Sequence, residues 1–270
     1  MRLLLFAIFI LGNFISNAQN ISGTIYNAKT NNPIAYVNIG ISGKNIGTVS
    51  DFEGKFNFQV AFEFDGDSLL FSCIGFEPRI IKVRELRNNN LQLIVLQEKV
   101  QDLKEVVIRP RVYKEKMLGI VTDTKFISAG FENNELGYEM GIFMDVKKSA
   151  VLKRVDLNIA RCSYDTVFYR LNIYSHKGDM VFDNILKSPI YINLPKDRVR
   201  DKITIDLQRY DLVVEGNFLV TVELVKDLGP GFLYFSAGLK DRTYFRKTSQ
   251  GVWDTAPVGI SISVLADVEK

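Results

Sequence analysis

From Asn20 onward, apolar and polar residues alternate with a period of two in one short run after another, and no stretch keeps a helical period. This pattern narrows the fold more than any other feature of the chain. A strand with one apolar face must bury that face against a second layer, so the expected class is all-β, built from packed sheets. On residues 55–60, Phe56, Phe58 and Val60 share one side, and Lys55, Asn57 and Gln59 share the other. Such a strand is half-buried, which an antiparallel sheet permits. Further strands are expected at 21–26, 35–41, 68–74, 79–83 and 91–96. Between them fall the turn signals "NAKTNNP", "SGKN", "DFEG", "FDGD" and "RNNN". This spacing describes a sandwich of roughly 80 residues.

The chain opens "MRLLLFAIFILGNFISNAQN", in which Arg2 precedes an uncharged apolar run over 3–11 and a small-residue site at Ser16, Asn17 and Ala18. That is the layout of a secretory signal peptide over residues 1–18, with cleavage expected after Ala18. No later uncharged run approaches the roughly 20 residues a spanning helix needs, so no transmembrane segment is expected after cleavage. The 34 basic residues oppose 31 acidic ones, and loss of Arg2 lowers the formal charge from +3 to +2. Acids and bases are interspersed, without the continuous basic face that nucleic acid requires. Residues 19–97 are read as the first sandwich domain. Residues 98–116, "EKVQDLKEVVIRPRVYKEK", are read as a charged linker with one extra strand at Val106 to Ile108, ended by Pro110. Longer alternating runs then resume at 139–146, 151–160, 166–174, 190–194, 202–206, 217–225, 231–237 and 259–265. Within 117–270 these fit a second, jelly-roll-like β-sandwich domain.

"VSDFEGKF" imitates the start of a calcium loop with Asp51, Glu53 and Gly54, but Lys55 follows at once and no closing acid appears before Glu63. A hairpin turn is expected instead, with Asp51 bonding its own backbone and Gly54 at positive φ. Asp65 and Asp67 in "EFDGDS" are read as turn residues for the same reason.

The order "ISGTIYN", "NPIAYVNIGISGKNIGTVSDFEGKF", "DSLLFSCIGFEPRIIKV" and "LKEVVI" resembles the carboxypeptidase regulatory-like domain, a transthyretin-like β-sandwich of exported gram-negative proteins. The resemblance rests on Gly23, Pro33, Gly47, Thr48, Asp51, Gly54, Phe56 and the Ile74, Gly75, Phe76 corner. In such domains these positions shape turns and core, and none is catalytic. The resemblance implies an address in the bacterial envelope: periplasm, outer-membrane surface or extracellular. The same module precedes the plug of many TonB-dependent outer-membrane transporters, which makes a transporter or other envelope protein an expected partner. A transporter barrel needs many membrane strands of about ten residues, and 117–270 is read instead as the jelly roll.

No residue earns a catalytic, cofactor or metal assignment. His176 is the single histidine, which excludes multi-histidine zinc centres, and no G-x-S-x-G elbow accompanies it. It is read as a solvated turn residue. Glu215, Glu223 and Asp241 are among many acids that a glycosidase could pair, and Glu223 in "FLVTVELV" is expected on a polar outward face. Cys73 and Cys162 lie in separate strand contexts. A disulfide between them stays open, and burial as free small hydrophobes is favoured. One surface stands out, the loop-rich "LKDRTYFRKTSQGVWDTAP", where Trp253, Tyr244, Phe245, Arg242 and Arg246 form a candidate face for a glycan or protein partner. The alternative is that Trp253 and Phe245 fill the open end of the sandwich. Together these features read as a non-enzymatic exported protein that binds or scaffolds, with an accessory of TonB-dependent uptake or a carbohydrate-binding module as the alternative.

Overall fold

The computed structural model describes residues 18–87, 92–100, 112–132, 134–239 and 241–270. Most of the expected leader, and the extra strand expected at Val106 to Ile108, lie outside the described residues. The protein is all-β, and the described residues include one short α-helix, α1 (Val83–Arg87).

Residues 18–96 supply β1 (Ala18–Asn27), β2 (Asn38–Ile41), β3 (Gly47–Val49), β4 (Lys55–Ala61), β5 (Ser68–Ser72), β6 (Arg79–Lys82) and β7 (Gln92–Leu96). They form two sheets, ordered β4-β1-β7 and β3-β2-β5-β6. Ile21, Ile25 and Ile94 from one sheet meet Ile39, Leu69 and Phe71 from the other, all essentially without exposure. The Asp51 turn closes as expected. Asp51 Oδ1 accepts from the Glu53 and Lys55 amides at 2.9 and 2.8 Å, and Gly54 takes φ +71°. Asp65 and Asp67 are held by cations, Arg87 Nε at 2.5 Å and Lys44 Nζ at 2.8 Å.

The remainder supplies β8 (Tyr113–Gly119), β9 (Ser128–Phe131), β10 (Glu139–Met144), β11 (Ser149–Cys162), β12 (Thr166–His176), β13 (Phe182–Asn184), β14 (Ile190–Pro195) and β15 (Lys202–Asp206). It continues with β16 (Val213–Glu215), β17 (Phe218–Leu224), β18 (Leu233–Gly238), β19 (Thr243–Arg246), β20 (Asp254–Ala256), β21 (Gly259–Ile260) and β22 (Ile262–Glu269). One sheet runs β13-β12-β17-β10-β19-β20, with β14 also on β12. The other runs β21-β18-β11-β22-β8, with β15 and β16 on β11 and β9 on β18. Longer stretches of chain pass back and forth between these sheets, the habit of jelly rolls. Tyr169, Leu171, Val220 and Val222 pack against Val155, Phe235 and Val264 in the core between them. Residues 113–116, read from the sequence as linker, belong to β8 and pair with β22.

The two sandwiches meet along the outer face of β12, β17 and β10. Tyr36, Val49 and Val225 form a small apolar cluster there, joined by Phe168. Around it the contact is polar. The Gly43 amide donates to the Gln250 carbonyl at 3.1 Å, and Gln250 Nε2 donates to Ser72 Oγ at 2.8 Å. The backbones approach so closely that a β-carbon on Gly40 or Gly47 would strike the Ser249 carbonyl. Cys73 and Cys162 are both free.

Candidate functional site

Pairing across four strands lines up four charges. Arg170 on β12 faces Glu223 on β17, Glu223 faces Glu139 on β10, and Glu139 faces Arg246 on β19. The signs across the sheet run plus, minus, minus, plus. Two carboxylates directly opposite one another repel, and an arginine on each flank offsets that repulsion. Arg170 Nη2 lies 2.7 Å from Glu223 Oε2, and Arg246 Nη2 lies 2.6 Å from Glu139 Oε2. Asn172 Nδ2 sits between the acids and donates to both, at 2.8 Å each. Tyr174 and Thr221 donate their hydroxyls to Glu139 Oε1.

The first sandwich completes this row. Asn38 Nδ2 donates to Glu223 Oε1 at 2.8 Å, its Oδ1 accepts from Arg170 Nη2, and the Tyr36 carbonyl accepts from Arg170 Nη1 at 2.9 Å. Tyr36 takes a positive φ of 56°, a conformation that disfavours a bulky side chain by about 1–2 kcal/mol. Its ring is held against Phe168 and Tyr191 at centroid distances of 5.0 and 5.5 Å.

Burial pushes the Glu139 carboxyl above its ordinary value, with Arg246 opposing. Burial acts on Glu223 as well, but Arg170 and Arg246 together hold it below its ordinary value. Burial works against both guanidiniums, and the carboxylates beside them outweigh it, so both stay charged.

Two acids with opposite shifts, bridged by one amide, invite comparison with glycosidases. The bridge holds their oxygens no more than about 5.6 Å apart, near the separation used by retaining enzymes. Access decides against the comparison. Both acids have no exposure, and each of their four oxygens already accepts at least one hydrogen bond. A general acid must come within about 3 Å of the atom it protonates, and this row offers a substrate no free carboxylate oxygen.

Above the row, between the sandwiches, lies a cleft of about 690 Å³. Its floor is Arg170, Asn172, Glu223 and Arg246. Phe76 lines it from the first sandwich and Phe182 from the second, and exposed Lys99, Lys187 and Asp183 also line it. Behind Phe182 a group of half-buried rings continues across the sheet. Trp253 stands edge-on to Tyr174 and Phe182 at 5.9 and 5.5 Å, Tyr244 stacks on Phe143 at 5.7 Å, and Arg246 lies over Trp253 at 5.0 Å.

The structure divides the expected Trp253 face. Tyr244, Phe245 and Arg246 lie on strand β19 and not in a loop. Tyr244, Arg246 and Trp253 share the outer aromatic group. Phe245 points the opposite way, stacks on Tyr138 at 6.2 Å and packs on the main core. Arg242 is exposed ahead of the strand and joins neither set among the described residues. Glu223 corrects a second expectation. It does lie on the face opposite Val222 and Leu224, but the first sandwich covers that face. His176 ends β12, its Nε2 lying 3.0 Å from the Asp179 carbonyl and its ring edge-on to Phe143. Glu139, Asn172 and Asn38 did not stand out in the sequence. For Glu139 and Asn38 the usable signal was a lone polar residue within an otherwise apolar strand, whereas Asn172 shares β12 with Arg170.

Residues 21–108 match the family described as CarboxypepD_reg-like domain. The chain is 31% identical over 120 residues to TonB-dependent receptor P3 of Formosa agariphila, covering 43% of this chain and 11% of that protein. It is 32% identical over 98 residues to TonB-dependent receptor SusC of Bacteroides thetaiotaomicron, covering 36% and 9%. The similarity falls in the N-terminal regions of these receptors, so the chain spans about a tenth of the length of the curated relatives it matches. Among solved structures, BcpA, the major pilin subunit of Bacillus cereus, aligns at 10% identity over 92% of this chain and 68% of its own, with a TM-score of 0.22. The infectious bursal disease virus VP2 subviral particle aligns at 7% identity over 87% and 61%, with a TM-score of 0.19. Scores this low carry no argument about fold or function. Among the described residues no helix is long and apolar enough to cross a membrane.

Proposed function

We propose that this chain is an exported, non-enzymatic binding protein of the bacterial envelope, with residues 19–97 as one domain, residues 113–270, β8 included, as the other, and the cleft between them as its binding site. The observation that carries this is the cleft floor, where every buried acid is neutralised by a buried arginine. Such a floor recognises and orients a ligand, and it holds no reactive group in reserve. The chain's likeness to receptor N-terminal regions supports the envelope address and favours a second reading, an accessory of TonB-dependent uptake that docks on a transporter through the first domain.

The test is a photo-cross-linking residue at Asn184, beside the cleft, in the full chain expressed in a gram-negative host. An adduct in the envelope fraction, lost on Phe182→Ala and releasing its ligand chemically unchanged, is the expected result. A chain retained in the cytoplasm, or a released ligand that has been cleaved, counts against the proposal. Co-purification of a barrel protein with the tagged chain, abolished by deleting residues 19–97, would favour the accessory reading.

A further inference from the structure

We infer that the cleft takes an acidic saccharide, a sugar ring carrying a carboxylate; the inference rests on the binding role proposed above. Arg246 points to the acid. Its Nε and Nη2 are committed to Glu139 and Tyr174, while Nη1 donates to none of the described residues. The side chain is only 10% exposed, and the residue lines the cleft. Nη1 is not sealed from the open space, and an oxygen lodged in the cleft would satisfy it.

Charge selects the kind of oxygen. The four charges of the row cancel, whereas Lys99 and Lys187 outnumber Asp183 among the remaining charged residues that line the cleft, leaving one positive charge. A carboxylate matches both that excess and the guanidinium. The remaining surface matches a sugar ring. Gln250 supplies a carboxamide whose Oε1 accepts from none of the described residues, whereas that of Asn184 is already bonded to Asn172 and the Leu186 amide. Phe76 and Phe182 supply apolar faces from the two different sandwiches. Hydroxyls that both donate and accept, set around an apolar ring face, fit this mixture of amides and aromatic walls. The volume lies within the range of small-ligand sites.

The test is calorimetric titration of the full chain with uronate trisaccharides of galacto, gluco and manno configuration, their methyl esters, and a short glutamate peptide. At least one uronate should bind, its ester at least about tenfold more weakly, as loss of a charge-assisted contact predicts. Lys99→Gln combined with Lys187→Gln should weaken binding severalfold and flatten its dependence on salt. Phe182→Leu should weaken it with the melting temperature unchanged. Equal binding of acid and ester, or equally tight binding of the peptide, overturns the inference. Failure of every uronate while the Asn184 cross-linker still traps a ligand overturns the saccharide and leaves the binding role standing. Failure of both removes the two together.

Discussion

Arg170 commits all three of its guanidinium nitrogens: Nε and Nη2 to Glu223, Nη1 to the Tyr36 carbonyl, and Nη2 to Asn38 as well. Removing it strands a carboxylate with no exposure. We therefore expect Arg170→Ala to cost about 3–5 kcal/mol in urea unfolding, well beyond the loss of an ordinary hydrogen bond. Asp156 gives a pH-dependent case. Burial works to raise its carboxyl, but Thr204 at 2.7 Å, Lys202 at 3.0 Å and Arg154 at 3.1 Å outweigh it and hold the group below the usual aspartate range. A depressed folded value means stability that is present above the unfolded value of about 3.9 and is lost as pH falls through the folded one. Urea midpoints measured down to about pH 2 should show Asp156→Asn less stable at neutrality, with a flatter acid limb. Single residues were legible from the sequence only in part. The parity that separates Arg170 and Asn172 from Leu171 and Ile173 is local, and a period-two pattern carries it. The covering of that face comes from Asn38, 185 positions from Glu223, and no local pattern encodes it.

Strand β17 is buried along its whole length, because its core-facing side meets the second sheet and its other side meets the first sandwich. Its alternating sequence predicts a half-exposed strand, and Thr221 and Glu223 were the hint that the second face is polar yet covered. Most strands of residues 18–96 were legible because each is short and bounded by a strong turn signal, as at Asp51 and Gly54. The β19 and β20 pair was missed because Tyr244 to Arg246 is only one turn of alternation inside a charged, glycine-containing stretch. The β2 and β3 hairpin carries the closest backbone approach between the sandwiches. Gly47→Ala places a methyl group against the Ser249 carbonyl, with backbone on both sides and no flexible side chain to yield. We expect that variant to fold, to part the two sandwiches, and to show faster limited proteolysis of residues 97–112 together with a larger radius of gyration by X-ray scattering. An unchanged radius would mean the seam tolerates the displacement.

Two separate apolar cores, one within residues 21–96 and one within 131–268, are joined by a seam in which Asn38 and the Tyr36 carbonyl of the first sandwich hydrogen-bond the Glu223 and Arg170 charges of the second. Because Arg170 and Glu223 have side chains with almost no exposure, salt screens them little. Calorimetry should accordingly record a single transition, with calorimetric and van't Hoff enthalpies in agreement, and adding about 1 M sodium chloride should leave its midpoint nearly unchanged. Two resolved transitions would show that each sandwich melts on its own. The all-β class was legible because alternation survives throughout the chain, whereas the seam was not, since its register joins residues that only the finished fold brings together. A junction closed by guanidinium, carboxylate and carboxamide behaves unlike a greasy one when it is pulled apart. Tension along the chain would bare two faces that are wettable apart from the small patch around Tyr36, Val49 and Val225, and faces so hydrated can find each other again once the load is released.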